Sequence, residues 1–352
     1  MTTAGAARVP ESWFALSRED QAEALEVASG RGGRPAHLLE KDLWVVWILS
    51  VIYESPHATK LTFKGGTSLS KVYKIIDRFS EDIDLTYDIR ELVPDLLRDG
   101  DPIPATPSQE KKITSAVRAR LSRWIKEVIK PLIEAAISAA NLQAELTIIG
   151  KDQDKLVISY PAVKAGTGYA APTVLLEFGA RSTGEPNARH EVACDIASYV
   201  QDIAFPSAQP LVMFVERTFW EKATAVHVYC HQQRPTRARY SRHWYDLACI
   251  AKTEYFGSAV RDRDLAKSVA EHKSLFFSEK DEIGSRIDYF RAVNGSLKLI
   301  PEGASLTALA EDYAAMLEDG LLPVEQPQFA ELLDQCRSIE EVVNRATDYP
   351  TI

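Results

Sequence analysis

The chain has 352 residues, 45% hydrophobic and 26% charged, with a net charge of −9. That balance excludes a disordered or collagen-like chain. It argues against a surface coated all over by nucleic acid, while leaving a local basic site open. The four scattered cysteines (Cys194, Cys230, Cys249 and Cys336) follow no metal or disulfide spacing and read as reduced thiols of a cytoplasmic protein. The N-terminus carries no apolar signal segment, and the apolar run over 43–53 is too short to span a membrane.

In chain order, Ser17 followed by Glu19 and Asp20 predicts a capped helix over 17–29, broken by the glycine- and proline-bearing 30–35. A second helix is expected over 36–54, with Leu39, Leu43, Val46, Trp47 and Ile48 on its core face. Lys41 and Asp42 near its start read as surface charge. A short strand over 60–64 leads into Gly65-Gly66, a turn that can approach a ligand closely. Thr67 and Ser68 then open a helix with hydroxyls and N–H groups facing outward. Its apolar residues Leu69, Val72, Tyr73, Ile76 and Phe79 recur near helical spacing. After Ser80 the period becomes two: Ile83 and Leu85 face one way, Asp82, Asp84, Thr86 and Asp88 the other. A D-x-D alone is usually exposed strand, and G-G-T-S alone is a common turn. Together, in this order, they supply what phosphoryl chemistry with a divalent metal needs: oxygen ligands beside a phosphate cradle.

The acidic, proline-rich 89–109 reads as a loop, and a long helix follows over 109–140. Its apolar set runs from Ile113 through Val117, Leu121 and Trp124 to Leu132, and Pro131 bends or divides it. The opposite face carries Lys111, Lys112, Arg118, Arg120, Arg123, Lys126 and Lys130, either a solvated face or a rail for a polynucleotide backbone. Strands are expected over 142–149, 155–160, 173–179 and 191–200. Glu177 is a lone acid in the apolar strand over 173–179. It is either a further metal ligand or an ion-pair partner of Arg181 or another cation.

From residue 215 the pattern is helical, with helices over 216–231, 242–253, 265–271, 278–292, 306–318, 328–336 and 339–346. Lys222 adjoins the buried stripe of Phe219, Trp220, Ala223 and Val226, where a lysine either snorkels to solvent or meets phosphate charge. His227, Cys230 and His231 lack further ligands at zinc spacing and read as packing. Asp246 sits among apolar residues as a helix-start acid or an ion-pair partner. Arg234, Arg237, Arg239 and Arg242 with Tyr240 suit phosphate contacts and base stacking, or form a basic loop.

The segments K-G-G-T-S-L-S-K (64–71), R-F-S-E-D-I-D-L (78–85), E-K-D-L-W-V-V-W-I-L (40–49), T-F-W-E-K (218–222) and R-H-W-Y-D-L (242–247) resemble the AbiEii/AbiGii family of nucleotidyltransferase toxins, to which MenT-like toxins belong. The resemblance runs over about 39–252. It implies an α+β fold: a polymerase-β-like mixed sheet with flanking helices, then a helical C-terminal half. The corresponding division is an N-terminal helical extension (1–35), a catalytic domain (36–214) and a helical domain contributing active-site residues (215–352).

The resemblance also implies site roles. Asp82, Asp84, Lys222 and Asp246 would be catalytic, and Asp82, Asp84 and Glu177 would hold Mg2+, with Mn2+ as a substitute. Gly65, Gly66, Thr67, Ser68, Lys71 and Ser80 would bind the NTP, and Arg234, Arg237, Arg239 and Arg242 the RNA. For Lys41 and Asp42 the alternative to surface charge is a supporting role near the site. Ser80 is close enough to Asp82 to be a regulatory phosphorylation site. The function implied is that of a toxin in a toxin–antitoxin or phage-defence pair. It would transfer NMP from NTP to an RNA acceptor, the tRNA 3′ end, halting translation, and be held by a cognate antitoxin with no membrane partner. The alternatives are an antibiotic-type, small-molecule nucleotidyltransferase and a non-catalytic nucleotide-binding module.

Overall fold

A computed structural model describes residues 10–166, 171–232, 239–318, 321–322 and 325–346. Its centre is a mixed seven-stranded sheet built from β1 (Leu61–Lys64), β2 (Ile83–Tyr87), β3 (Glu145–Ile149), β4 (Lys155–Ser159), β5 (Thr173–Gly179), β6 (Asn187–Arg189) and β7 (Leu211–Met213). The spatial order is β3-β4-β5-β2-β1-β7-β6. β2 runs parallel to β5 and antiparallel to β1, and β4 is antiparallel to β5. Alternation fixes which face is which. Ile83 and Leu85 of β2 and Val174, Leu176 and Phe178 of β5 are buried in one hydrophobic cluster. The register therefore leaves Asp84 and Glu177 together on the other face.

Helix α1 (Arg18–Gly32) starts at Ser17, whose hydroxyl accepts from the Asp20 N–H, and ends at Gly33 in the left-handed conformation. Helix α2 (Ala36–Tyr53) is buried on nearly every side, because it packs on α1 and on β5. Its Lys41 and Asp42 are only 4% and 6% exposed, so the expectation of surface charge is overturned.

Helix α3 (Gly65–Lys71) is shorter than the apolar spacing suggests. Lys74 takes a left-handed φ of 54°, and the Phe79 N–H donates to the Leu321 carbonyl instead of closing a helical turn. Residues 72–82 are thus a connector between two cores, and Asp88 caps the short helix Ile89–Leu92 rather than extending β2.

The long helix begins at Pro107 and runs as α4 (Pro107–Trp124), a π-turn over Ile125–Ile129, and α5 (Lys130–Ala139). Pro131 has no N–H for the carbonyl of Glu127, four residues earlier, which accounts for the break in the regular ladder at that point. Where a strand was expected over 191–200 there is a two-residue strand, Val192–Ala193, and a 3-10 turn, Asp195–Ser198.

A second hydrophobic cluster is assembled from α6 (Val215–Gln232), α7 (Arg242–Ala251) and the helices after them, and it takes in Leu69 and Ile76. α8 (Glu254–Arg261) was not foreseen, and α9 (Arg263–Phe276) is longer than expected. The helix expected over 278–292 shrinks to α10 (Tyr289–Val293). Asp281 accepts from the Ile283 and Ser285 N–H groups, and Gly284 has φ 85°, so a turn replaces the first part. α11 spans Gly303–Glu318, and α12 (Phe329–Arg345) is one helix rather than two. No described helix is long and apolar enough to cross a membrane.

Candidate active site

The site forms where β1 ends. Gly65 has φ 83°, and a Cβ there would meet Asp84 Oδ2 at 2.1 Å. A Cβ on Gly66 would meet Arg78 Nη2 at 2.4 Å and Ser80 Oγ at 2.7 Å. Both glycines are required because functional side chains press against the backbone itself. Ser68 Oγ donates to the Gly65 carbonyl at 2.9 Å. Thr67 Oγ1 donates to the Asp82 carbonyl at 2.5 Å and lies 3.0 Å from Ser80 Oγ. The Thr67 hydroxyl therefore fastens the turn to the Asp82 segment and the Ser68 hydroxyl closes back on the turn itself, so neither faces outward. What this turn offers a phosphate is backbone N–H.

Four strands contribute one row of charges across the sheet: Lys64 pairs with Asp84, Asp84 with Glu177, and Glu177 with Lys155. Lys155 Nζ closes a salt bridge on Glu177 Oε1, the cation that the sequence left unnamed. Arg181 instead donates to the Phe276 carbonyl. Burial, with Glu177 and Asp82 alongside, pushes the Asp84 carboxyl up to about 6 despite Lys64. Burial and the neighbouring Glu81 and Glu177 also raise Asp82, against Arg242 and Lys41. Burial is the larger cause at both aspartates of this acidic cluster, and the neighbouring carboxylates add to it.

Facing it is an excess of positive charge. Arg78 donates to both carboxylate oxygens of Asp246, from Nε at 2.6 Å and Nη2 at 2.8 Å. Lys222 Nζ reaches Asp246 Oδ2 at 2.8 Å. Asp246 is fully buried, and although burial opposes its ionisation, Arg78 and Lys222 hold it well below the usual carboxylate range. Burial, with Arg78 and Arg242 nearby, lowers Lys222 against the pull of Asp246. Two cations on one buried anion leave a net positive charge, which suits phosphate oxygens. Arg242 faces Asp82 across a small cleft that Ser80, Arg78 and Arg239 also line. Arg234 and Arg237 lie outside the described residues.

Lys71 stands apart from this arrangement. Its Nζ is held at 2.6 Å by both Asp42 and Asp195, and Arg34 also pairs with Asp195. The Asp195 N–H donates to Asp42 Oδ2 at 2.7 Å. Lys41 bridges to Glu81 at 2.5 Å. These pairs bolt α2 and the Asp195 turn to α3 and to the residue before Asp82, and they surround a cavity of about 310 Å3 reaching Ser80. Sequence reasoning gave Arg78 no role, although it stands in the R-F-S-E-D segment. It gave Lys41 and Asp42 a reading but not a partner, although three successive charges, Glu40-Lys41-Asp42, in an otherwise apolar helix do mark a buried ion network.

Asp82 and Asp84 are the oxygen donors that would hold a hard divalent cation. Glu177 is the register partner of Asp84 but is paired with Lys155, and no group of three or more His, Cys, Asp or Glu side chains placed to hold a metal occurs among the described residues. The arrangement can bind a metal on its acidic side and an anionic substrate on its basic side.

A comparison with curated proteins finds no match. Among solved structures, MenT4, a nucleotidyltransferase toxin from Mycobacterium tuberculosis H37Rv, is similar at 15% identity with a TM-score of 0.42, covering 95% of this chain and 98% of that one. A family profile described as nucleotidyl transferase AbiEii toxin, type IV toxin–antitoxin system, matches residues 47–335, more than half the chain and every described residue of the site above except those of the α2 charge cluster and Arg34. The chain belongs to this AbiEii toxin family of type IV toxin–antitoxin systems, and it is a nucleotidyltransferase.

Proposed function

We propose that this enzyme transfers a nucleoside monophosphate from an NTP to an RNA acceptor, the tRNA 3′ end, and so blocks translation unless a cognate antitoxin restrains it. The observation that carries the reading is the opposition of two charge clusters across one glycine turn. Asp82, Asp84 and Glu177 stand on one side, and Arg78, Lys222 and Arg242 on the other.

Asp82 and Asp84 hold Mg2+, with Glu177 as the further carboxylate; when bound, the ion neutralises charge on the reacting phosphate oxygens. The backbone of Gly65, Gly66, Thr67 and Ser68 cradles the β- and γ-phosphates. Lys222 and Arg78, oriented by Asp246, take the charge that builds on the leaving pyrophosphate. The acceptor hydroxyl oxygen bonds to the α-phosphorus and the bond to the β-phosphate oxygen breaks. The hydroxyl proton passes through the carboxylate cluster to solvent. Lys71 supports the site from behind, as the anchor of α3.

The test is incubation of the purified protein with each radiolabelled NTP, Mg2+ and total RNA. A labelled tRNA-sized band that Asp82→Ala removes supports the reading. Label on a small molecule alone moves the assignment to an antibiotic-type transferase, and no transfer at all defeats the enzymatic role proposed.

A further inference from the structure

The strand that carries the carboxylates has two ends, and they face different surroundings. At the Asp82 end lie Ser80, Arg78 and Arg242, the phosphate side. At the other end, Thr86 pairs with Gly179, and both line a separate cavity of about 200 Å3. Thr86 is two residues beyond Asp84, so it projects from the same sheet face roughly 7 Å further along. The cavity walls include Lys64, Glu221, Arg181, His272, Lys273 and Phe277. Gly179 leaves its floor bare: a Cβ there would meet only the Leu85 carbonyl, at 3.9 Å.

Phe277 is 39% exposed at the cavity edge, with Arg181 Cζ 5.1 Å and Lys273 Nζ 4.8 Å from its ring centre. His272, buried beside it, donates from Nε2 to the Arg181 carbonyl at 2.8 Å in its neutral form, and its Nδ1 has no partner among the described residues. Arg118 and Asp152 line this cavity and also line an open cleft of about 580 Å3 bounded by α4 and the β3–β4 turn, where Lys111, Lys151 and Glu110 stand. Arg118 Nε lies 3.3 Å from Asp152 Oδ2 on an exposed stretch, a pair that a phosphate would compete with for the guanidinium.

We propose that this cavity and cleft are the acceptor path: the last base of a single-stranded polynucleotide stacks at Phe277, and the preceding backbone follows Arg118, Lys151 and Lys111. An aromatic flanked by a guanidinium and an ammonium holds a base and its phosphate together, and the cations Arg118, Lys151 and Lys111, set among the acids Glu110 and Asp152, offer successive phosphate contacts behind it. The polarity also follows from the reaction. In-line displacement puts the attacking oxygen and the leaving group on opposite sides of the reacting phosphorus. The carboxylates lie between the Arg78–Arg242 end and the Phe277 end. This assigns the acceptor to α4 and assigns Arg242, counted from sequence among the RNA contacts, to the phosphate side. The inference rests on the nucleotidyl-transfer reading only for its direction; the groove itself is tested by binding.

The experiment uses the full chain and a 5′-fluorescein single-stranded RNA of about twelve nucleotides, followed by anisotropy without NTP. Phe277→Ala and Arg118→Ala each raise the RNA Kd by about tenfold, and Arg118→Ala lowers the slope of log K on log salt by about one. Phe277→Trp restores affinity, whereas a merely structural Phe277 would not be rescued by the larger ring. Affinity for an NTP, read by thermal shift, is unchanged in all three. An RNA Kd that neither substitution moves, or a wild-type protein that binds no RNA, overturns the groove. A loss of NTP affinity instead reassigns the cavity to the incoming base and also overturns it. Wild-type protein that binds RNA through Arg118 and Phe277 yet transfers no nucleotide defeats the proposed function and leaves the groove standing.

Discussion

Arg78 and Asp246 are 168 residues apart in the chain and meet through two hydrogen bonds, at 2.6 and 2.8 Å, with both side chains buried. Asp246 lies on α7, and Arg78 lies in the connector that leaves the glycine helix. This pair therefore joins the two hydrophobic clusters at the reacting centre.

Asp246→Asn leaves Arg78 and Lys222 buried with one neutral partner. Breaking a buried pair in this way costs about 3 kcal/mol of stability. It should also lower transfer at least a hundredfold, since Lys222 and Arg78 lose the group that aims them. Urea denaturation and the labelled-NTP assay check the two parts. A variant of wild-type stability would mean that water replaces the missing charge.

Two glycines should respond oppositely to alanine. Gly65→Ala forces a side chain into a left-handed backbone and onto Asp84, so activity falls by more than a hundredfold. Gly30→Ala, in the exposed last turn of α1 with nothing within 4 Å, should raise stability by up to about 1 kcal/mol and leave activity untouched. Equal effects at the two positions would remove the argument that Gly65 is needed for contact with Asp84.

Removing a carboxylate should separate stability from function. In the presence of EDTA, Asp84→Asn removes the cost of burying a charge, and secondarily its repulsion from Glu177 and Asp82, and should raise stability by roughly 1–2 kcal/mol. Added Mg2+ should raise the melting temperature of the wild type and not that of the variant, while transfer falls about a thousandfold or more. A variant that melts lower than wild type in EDTA would show that Asp84 is held by its neighbours rather than strained by them.

His227 predicts the response to acid. Burial, with His231, Arg291 and Lys298 nearby, pushes its pKa from 6.5 down to about 3. Its Nδ1 accepts from the Lys298 N–H at 3.1 Å, so protonation breaks that bond. The unfolded chain takes up the proton first. The contribution is complete above about pH 6.5 and is lost as pH falls toward about 3, at up to about 1.4 kcal/mol per pH unit. His227→Gln keeps an acceptor and should flatten that slope in urea titrations at pH 7 and pH 5. An unchanged slope would place the acid sensitivity elsewhere, at His272 or the carboxylates.

Much of this was legible where one physical rule dominates. Alternation identified β2 and the face of Asp84, and a short apolar run identified β5; that Asp84 and Glu177 share a face appears only in the register of the folded sheet. Legibility failed where distant groups override local pattern. Leu69, Val72, Tyr73 and Ile76 keep helical spacing, yet the helix stops at Lys71 because the following residues serve two cores at once. Lys41 and Asp42 look like surface charge until Glu81 and Lys71, far along the chain, arrive beside them. Lys71 sits in a motif suggestive of phosphate contact, and nothing local reveals that Asp195 claims its ammonium.

The joint between Arg78 and Asp246 also bears on synthesis. A ribosome that has made residues 1–214 has produced the sheet, the glycine turn, Asp82, Asp84 and Glu177, yet Lys222 and Asp246 are still to come. Until then Arg78 lacks the buried carboxylate that both it and Lys222 contact. If these residues act as proposed, the nascent chain would stay inactive until α7 has emerged and docked, and a chain terminated earlier would carry no transferase activity.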